Sequence, residues 1–162
     1  MKKFKIFILL IVVTMQLTGC GLGKEYKSSE QIGVERATFV YEAFINENLE
    51  GIKSMFSSFV AESIDLEQNI EDAFDFIEGD IVSHGKIFTS TALKTSIKED
   101  SSEILFDVET TSEKNYEITI NTCVYDQENK EYIGTYMIYI VDTATNDNFK
   151  LGKTINSILK NE

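Results

Sequence analysis

The sequence predicts an α+β domain, with helices first and an antiparallel sheet after them. Apolar residues recur at helical spacing from Ile32 to Ile77, and from Ile81 the apolar period falls to two. The links between the alternating runs are short, which suits hairpins rather than crossovers.

A targeting segment precedes the domain. The chain opens with Lys2, Lys3 and Lys5, and residues 4–15 are apolar apart from Lys5 and Thr14. A basic front with a short apolar stretch reads as a signal peptide, because a spanning helix needs about 20 apolar residues. The run ends in Leu17-Thr18-Gly19-Cys20, which resembles the bacterial lipobox. That resemblance implies cleavage before Cys20, a diacylglyceryl group on its sulfur, and a mature chain anchored at the extracytoplasmic face of the cell membrane. Two acyl chains, each adding about 0.8 kcal/mol per buried methylene, hold far better than one. Residues 1–19 are therefore read as signal peptide, 20–27 as a lipidated tether and 28–162 as a single domain. A flexible tether of that length reaches only about 16 Å, which keeps the domain close to the bilayer.

Removing residues 1–19 from the 162 leaves 143, enough for one core without a disulfide. With Cys20 lipidated, no second cysteine remains to form a disulfide with Cys123, and its strand-like setting reads as a small buried hydrophobe. The 15 basic residues include the three leader lysines, so the mature chain carries 12 against 27 acidic ones, a formal −15. Nucleic acid, which needs a basic surface, is excluded as a partner on this ground. An acidic body favours solubility and steers basic partners.

Within the domain, Ser28 with Gln31 has the form of a capping box. Helical spacing follows through Ile32, Phe39, Val40, Phe44 and Ile45, and residues 46–48 break it. Leu49, Ile52, Met55, Phe56 and Phe59 predict a second, shorter helix. Leu66, Ile70, Ala73, Phe74 and Ile77 predict a third, starting near Asp65 and stopped by Gly79. Residues 81–98 read as one long strand or a bent pair. Ile104, Phe106, Val108 and Thr110 alternate with acids, and Tyr116, Ile118, Ile120, Thr122 and Val124 alternate with mostly polar residues, so both strands are half-buried. Residues 111–115 and 126–130 suit hairpin loops. Residues 132–141 are apolar in both alternation sets, which predicts a strand covered on both sides or carrying an apolar patch. Leu151, Ile155, Ile158 and Leu159 have helical spacing, weakened by Gly152.

Helices followed by an antiparallel sheet is the order of the cone-shaped folds related to nuclear transport factor 2 and the polyketide-cyclase-like proteins. The chain also resembles an uncharacterised bacterial lipoprotein family with such a domain. The carrying stretches are Leu49-Glu50-Gly51-Ile52-Lys53-Ser54-Met55-Phe56, then Ile70 to Ile81, then Gly134-Thr135-Tyr136-Met137-Ile138-Tyr139-Ile140. The resemblance implies helices packed on a curved, cone-shaped sheet and a membrane-anchored location. It implies no catalytic residues.

Chemistry-bearing motifs are sparse. No Gly-x-Ser-x-Gly elbow or phosphate-cradling glycine loop occurs. The chain lacks the several Cys and His ligands of a zinc site, and residues 142–148 lack the central Gly and closing Glu of a calcium loop. No metal or cofactor is expected. His84, the only histidine, is the one weak catalytic candidate, with Asp107 or Asp80 as a partner for proton transfer in a cone pocket. Tyr116, Tyr125, Tyr132, Tyr136 and Tyr139 crowd neighbouring strands, and tyrosine is enriched at interfaces. Tyr132, Tyr136 and Tyr139 are the candidate binding residues. The expected function is a non-catalytic surface module. It would bind a basic partner protein, for example as an immunity-type protein that neutralises a toxin, or a small ligand. The alternative is a small cyclase- or isomerase-like enzyme using His84.

Overall fold

A computed structural model describes residues 28–94, 99–126 and 129–153. The leader, the tether and Cys20 lie outside the described residues. Among the described residues, four helices precede the sheet: α1 (Ser29–Ile45), α2 (Leu49–Met55), α3 (Ser58–Ser63) and α4 (Leu66–Phe76). The capping box forms as the sequence predicts. Gln31 N donates to the Ser28 hydroxyl at 3.2 Å, and Ser28 N donates to the Gln31 side chain at 2.9 Å.

The second helix is shorter than its apolar spacing predicts. It ends at Met55; Phe56 bridges to Thr135, and Ser57 N donates to the Thr135 carbonyl at 2.9 Å. The Ser57 hydroxyl then accepts from Val60 N and starts α3. A sheet acceptor and a capping serine outweigh periodicity there. Asp65 caps α4, accepting from Gln68 N, and Gly79 (φ +83°) follows in the turn.

Among the described residues the sheet has six strands: β1 (Ile81–His84), β2 (Phe88–Lys94), β3 (Glu99–Thr110), β4 (Asn115–Asp126), β5 (Gly134–Asp142) and β6 (Asn148–Gly152). All pairings are antiparallel and the sheet is open, in the order β1-β3-β4-β5-β6. β1 and β2 share one edge of β3, β1 on residues 108–110 and β2 on residues 99–105. The bent-pair alternative is thus the one adopted over residues 81–94, and residues 95–98 lie outside the described residues.

Two boundaries differ from the sequence reading. Tyr132 belongs to a short 3₁₀ turn, Lys130–Tyr132, and β5 begins only at Gly134. The tail does not continue a helical pattern through Leu151. That residue is buried in β6 opposite Ile138, where strand pairing overrides helical spacing. Ile155, Ile158 and Leu159 lie outside the described residues.

One face of the sheet is covered by the helices. Val40, Ile52, Val60 and Ile70 pack on Ile104, Phe106, Ile118, Ile120, Ile138 and Ile140, all essentially inaccessible. The other face is half-exposed, with Met137, Tyr139 and Val141 on β5. Cys123 is buried and is not part of a disulfide. No helix among the described residues is long and apolar enough to cross a membrane.

Candidate functional site

The buried stripe of α1 runs through Gly33, Ala37, Val40 and Phe44. Arg36, the only arginine in the chain, sits on that stripe between Gly33 and Val40. A Cβ at Gly33 would lie 2.4 Å from the Thr89 side chain, so this half of α1 is held tightly to the sheet. Arg36 is thereby pressed into the domain and left half-buried.

A row of hydroxyls lies under it. Ser102 on β3, Thr122 on β4 and Thr135 on β5 are cross-strand neighbours, and all three are buried. Arg36 donates to the middle hydroxyl, on Thr122, which itself donates to the Gly134 carbonyl at 3.0 Å. The flanking hydroxyls of Ser102 and Thr135 have no hydrogen-bond partner among the described residues. Buried polar groups are ordinarily satisfied, so this pair is an exception to explain. Ion pairs among the described residues are made by Lys53 and Lys114, whereas Arg36 meets a neutral hydroxyl. Burial pushes the Arg36 pKa below its ordinary value, and the nearby Cys123 thiol, if ionised, would pull it back up.

A cavity of about 460 Å³ opens beside Arg36, between α1, the end of α2 and the start of β5. Arg36, Phe39, Met55, Phe56, Ile133 and Gly134 line it, with Glu35 and Ser54 at exposed positions on its wall. Phe39 and Ile133 are large apolar residues left 41% and 38% exposed. The arrangement offers one cation, buried hydroxyls nearby and an apolar wall. Such a site can orient a small amphipathic molecule.

The residues singled out from sequence lie elsewhere. His84 is exposed at the end of β1, its ring edge-on to Tyr41 with centroids 4.5 Å apart and Nδ1 2.8 Å from the Gly85 carbonyl oxygen. It pairs with Val108, which faces the helices, so Asp107 points to the opposite side of the sheet. Asp80 precedes β1, its N–H donating to the Thr111 hydroxyl. Neither carboxylate is a hydrogen-bond partner of His84 among the described residues. The three tyrosines do not share a surface. Tyr132 packs edge-on to Phe59, Tyr136 is buried at a sheet irregularity, and Tyr139 lies on the outer face under the Lys150 ammonium.

Residues 142–148 form a turn closed by Asp142. Its carboxylate accepts from Ala144 N and Thr145 N, and Lys114 lies 3.5 Å away. The backbone N–H of Ala144, then that of Thr145 and the Lys114 ammonium, hold Asp142 below the usual carboxylate range. No group of three or more potential ligands is placed to hold a metal among the described residues.

Sequence inspection missed Arg36. The signal was present: a lone arginine on an otherwise apolar helical stripe, in a chain whose other cations are all lysine.

No curated protein matches the chain significantly. A family model does, over residues 39–143, and its description is a domain of unknown function, DUF5104. The match runs from the second half of α1 to the end of β5 and includes the cavity's Phe39, Met55, Phe56, Ile133 and Gly134. It covers more than half of the chain, which therefore belongs to the DUF5104 family.

Proposed function

We propose that the protein is a lipid-anchored binding module at the outer face of the membrane, holding a small ligand in the cavity beside Arg36. The anchor is the diacylglyceryl group on Cys20, motivated by the lipobox at residues 17–20. The open sheet under four helices fits a cone of the kind related to nuclear transport factor 2.

The observation that carries the reading is the half-buried guanidinium set against a cavity with an apolar wall. Binding needs shape, apolar area and complementary charge, and the cavity has all three. Proton-transfer catalysis needs a positioned base and a group that orients it. His84, at the end of β1, packs against Tyr41 of α1 and is not among the cavity residues. The dispersed tyrosines also favour a small ligand over a flat protein contact.

Native mass spectrometry of the chain purified from the cells that make it tests the reading. The wild type carries an additional small-molecule mass. Ser54→Trp, which places an indole at the cavity wall, loses it. A bare wild-type chain under conditions that preserve known complexes counts against the proposal.

A further inference from the structure

The geometry points to a monocarboxylate with a short apolar tail as the ligand class, its head on the Arg36 guanidinium and the Thr135 hydroxyl. This inference rests on the binding-module reading and names the chemistry that the site selects.

The guanidinium stays charged at physiological pH and presents several N–H donors in one plane, a fork that matches a carboxylate. Its hydrogen-bond partner among the described residues is the neutral Thr122 hydroxyl. A charge drawn out of water against a neutral partner is poorly compensated, and a carboxylate supplies the missing counter-charge. Thr135 stands directly opposite Thr122 on β5, which places the two side chains about 5 Å apart. Its hydroxyl is fully buried and unpartnered among the described residues. It follows Gly134, which lines the cavity, and it stands beside Thr122, the hydroxyl that Arg36 contacts.

Charge and shape narrow the class further. A cationic ligand would face Arg36 directly. A dianion would meet one cation, the neighbouring Glu35 and a chain of net charge −12. A single negative charge fits best. Phe39, Met55, Phe56 and Ile133 offer the tail an apolar wall, and Phe39 and Ile133 are the two left most open to solvent. Covering them with a hydrocarbon tail removes that surface from water.

The test uses the full chain in phosphatidylcholine nanodiscs, with empty discs as the blank. Hexanoate, hexanol and hexylamine, which share one tail, are titrated by saturation-transfer NMR. Hexanoate binds at least about tenfold more tightly than hexanol, and hexylamine binds most weakly. Arg36→Gln lowers hexanoate affinity about tenfold and leaves hexanol unchanged, in line with the loss of a charge-assisted hydrogen bond. Thr135→Val exchanges one orphan hydroxyl for a methyl group. It therefore keeps or raises the thermal midpoint while lowering hexanoate affinity severalfold, a combination that a purely structural role would not produce. Equal affinity for hexanoate and hexanol, or hexanoate binding untouched by both substitutions, overturns the carboxylate assignment and leaves the cavity reading standing. Failure of all three probes to bind overturns the cavity reading as well.

Discussion

Gly134→Ala is the substitution that best tests how the sheet is joined to the helices. Gly134 has φ +134°, a region that L side chains rarely adopt. An added Cβ would lie 2.8 Å from Ser57 N, 3.0 Å from Ser57 Cα and 3.1 Å from the Met55 carbonyl oxygen. All three are backbone atoms, so no side chain can swing away, and the α2–α3 junction must retreat from β5. Strain at such a backbone position costs about 1–3 kcal/mol. The retreat also stretches the hydrogen bond from Ser57 N to the Thr135 carbonyl, now 2.9 Å, worth about 1 kcal/mol. The expected loss is about 2–4 kcal/mol. At a urea slope of about 2 kcal/mol per molar, the midpoint falls by about 1–2 M. The thermal midpoint falls by about 8–16 °C, taking about 4 °C per kcal/mol for a domain of this size. Gly85→Ala is the control. Its Cβ would sit 3.5 Å from Asp107 side-chain atoms, an ordinary contact, and its φ is not positive. That variant changes stability by less than about 1 kcal/mol, in the direction of a gain. Urea unfolding followed by circular dichroism measures both. A Gly134→Ala loss below about 0.5 kcal/mol, or an equal loss in the control, refutes the argument from close backbone approach.

Cys20→Ala abolishes fatty-acid labelling of the chain and blocks processing by the lipoprotein peptidase; continued labelling would place the anchor elsewhere. Residues 28–162 made alone give a mixed α and β circular dichroism spectrum and a melt that reducing agent does not change, since the buried Cys123 is not half of a disulfide; a melt that collapses on reduction contradicts this. Asp142→Asn lowers stability at neutral pH, because the folded carboxylate is held below its unfolded value by the Ala144 and Thr145 N–H groups and Lys114. That stabilisation is present above the unfolded pKa of about 4 and disappears as pH falls through the lower folded value. The gap between wild type and variant therefore closes in acid, and a gap that is constant with pH would show the effect is not ionic. His84→Ala leaves fold and ligand binding intact, as its exposed ring packs on Tyr41, away from the cavity residues; loss of biological activity with the fold preserved would revive the proton-transfer reading.

Local chemistry written in consecutive residues is legible in the sequence itself. The capping box at Ser28 and Gln31, the Asp65 cap, and the alternation of residues 104–110 and 116–122 each depend on neighbours a few positions apart. Periodicity misleads where a distant partner decides. Phe56 leaves its helix because Thr135 offers a backbone acceptor next to it, and Leu151 becomes a strand residue because Ile138 lies opposite it. The candidate site belongs wholly to this second kind. Arg36 and Thr122 are separated by 86 positions, and Ser102, Thr122 and Thr135 form a row only through strand register, including an irregularity beside Thr122. Shifting register by one residue would turn those hydroxyls to the other face of the sheet. Sequence by itself determined the helix caps, the half-buried strands and the acidic charge, because short-range hydrogen bonds and periodicity encode them. Only the tertiary structure decided that one arginine would be pressed against buried hydroxyls at the edge of a cavity, because register and helix docking are set by the packing of the whole core.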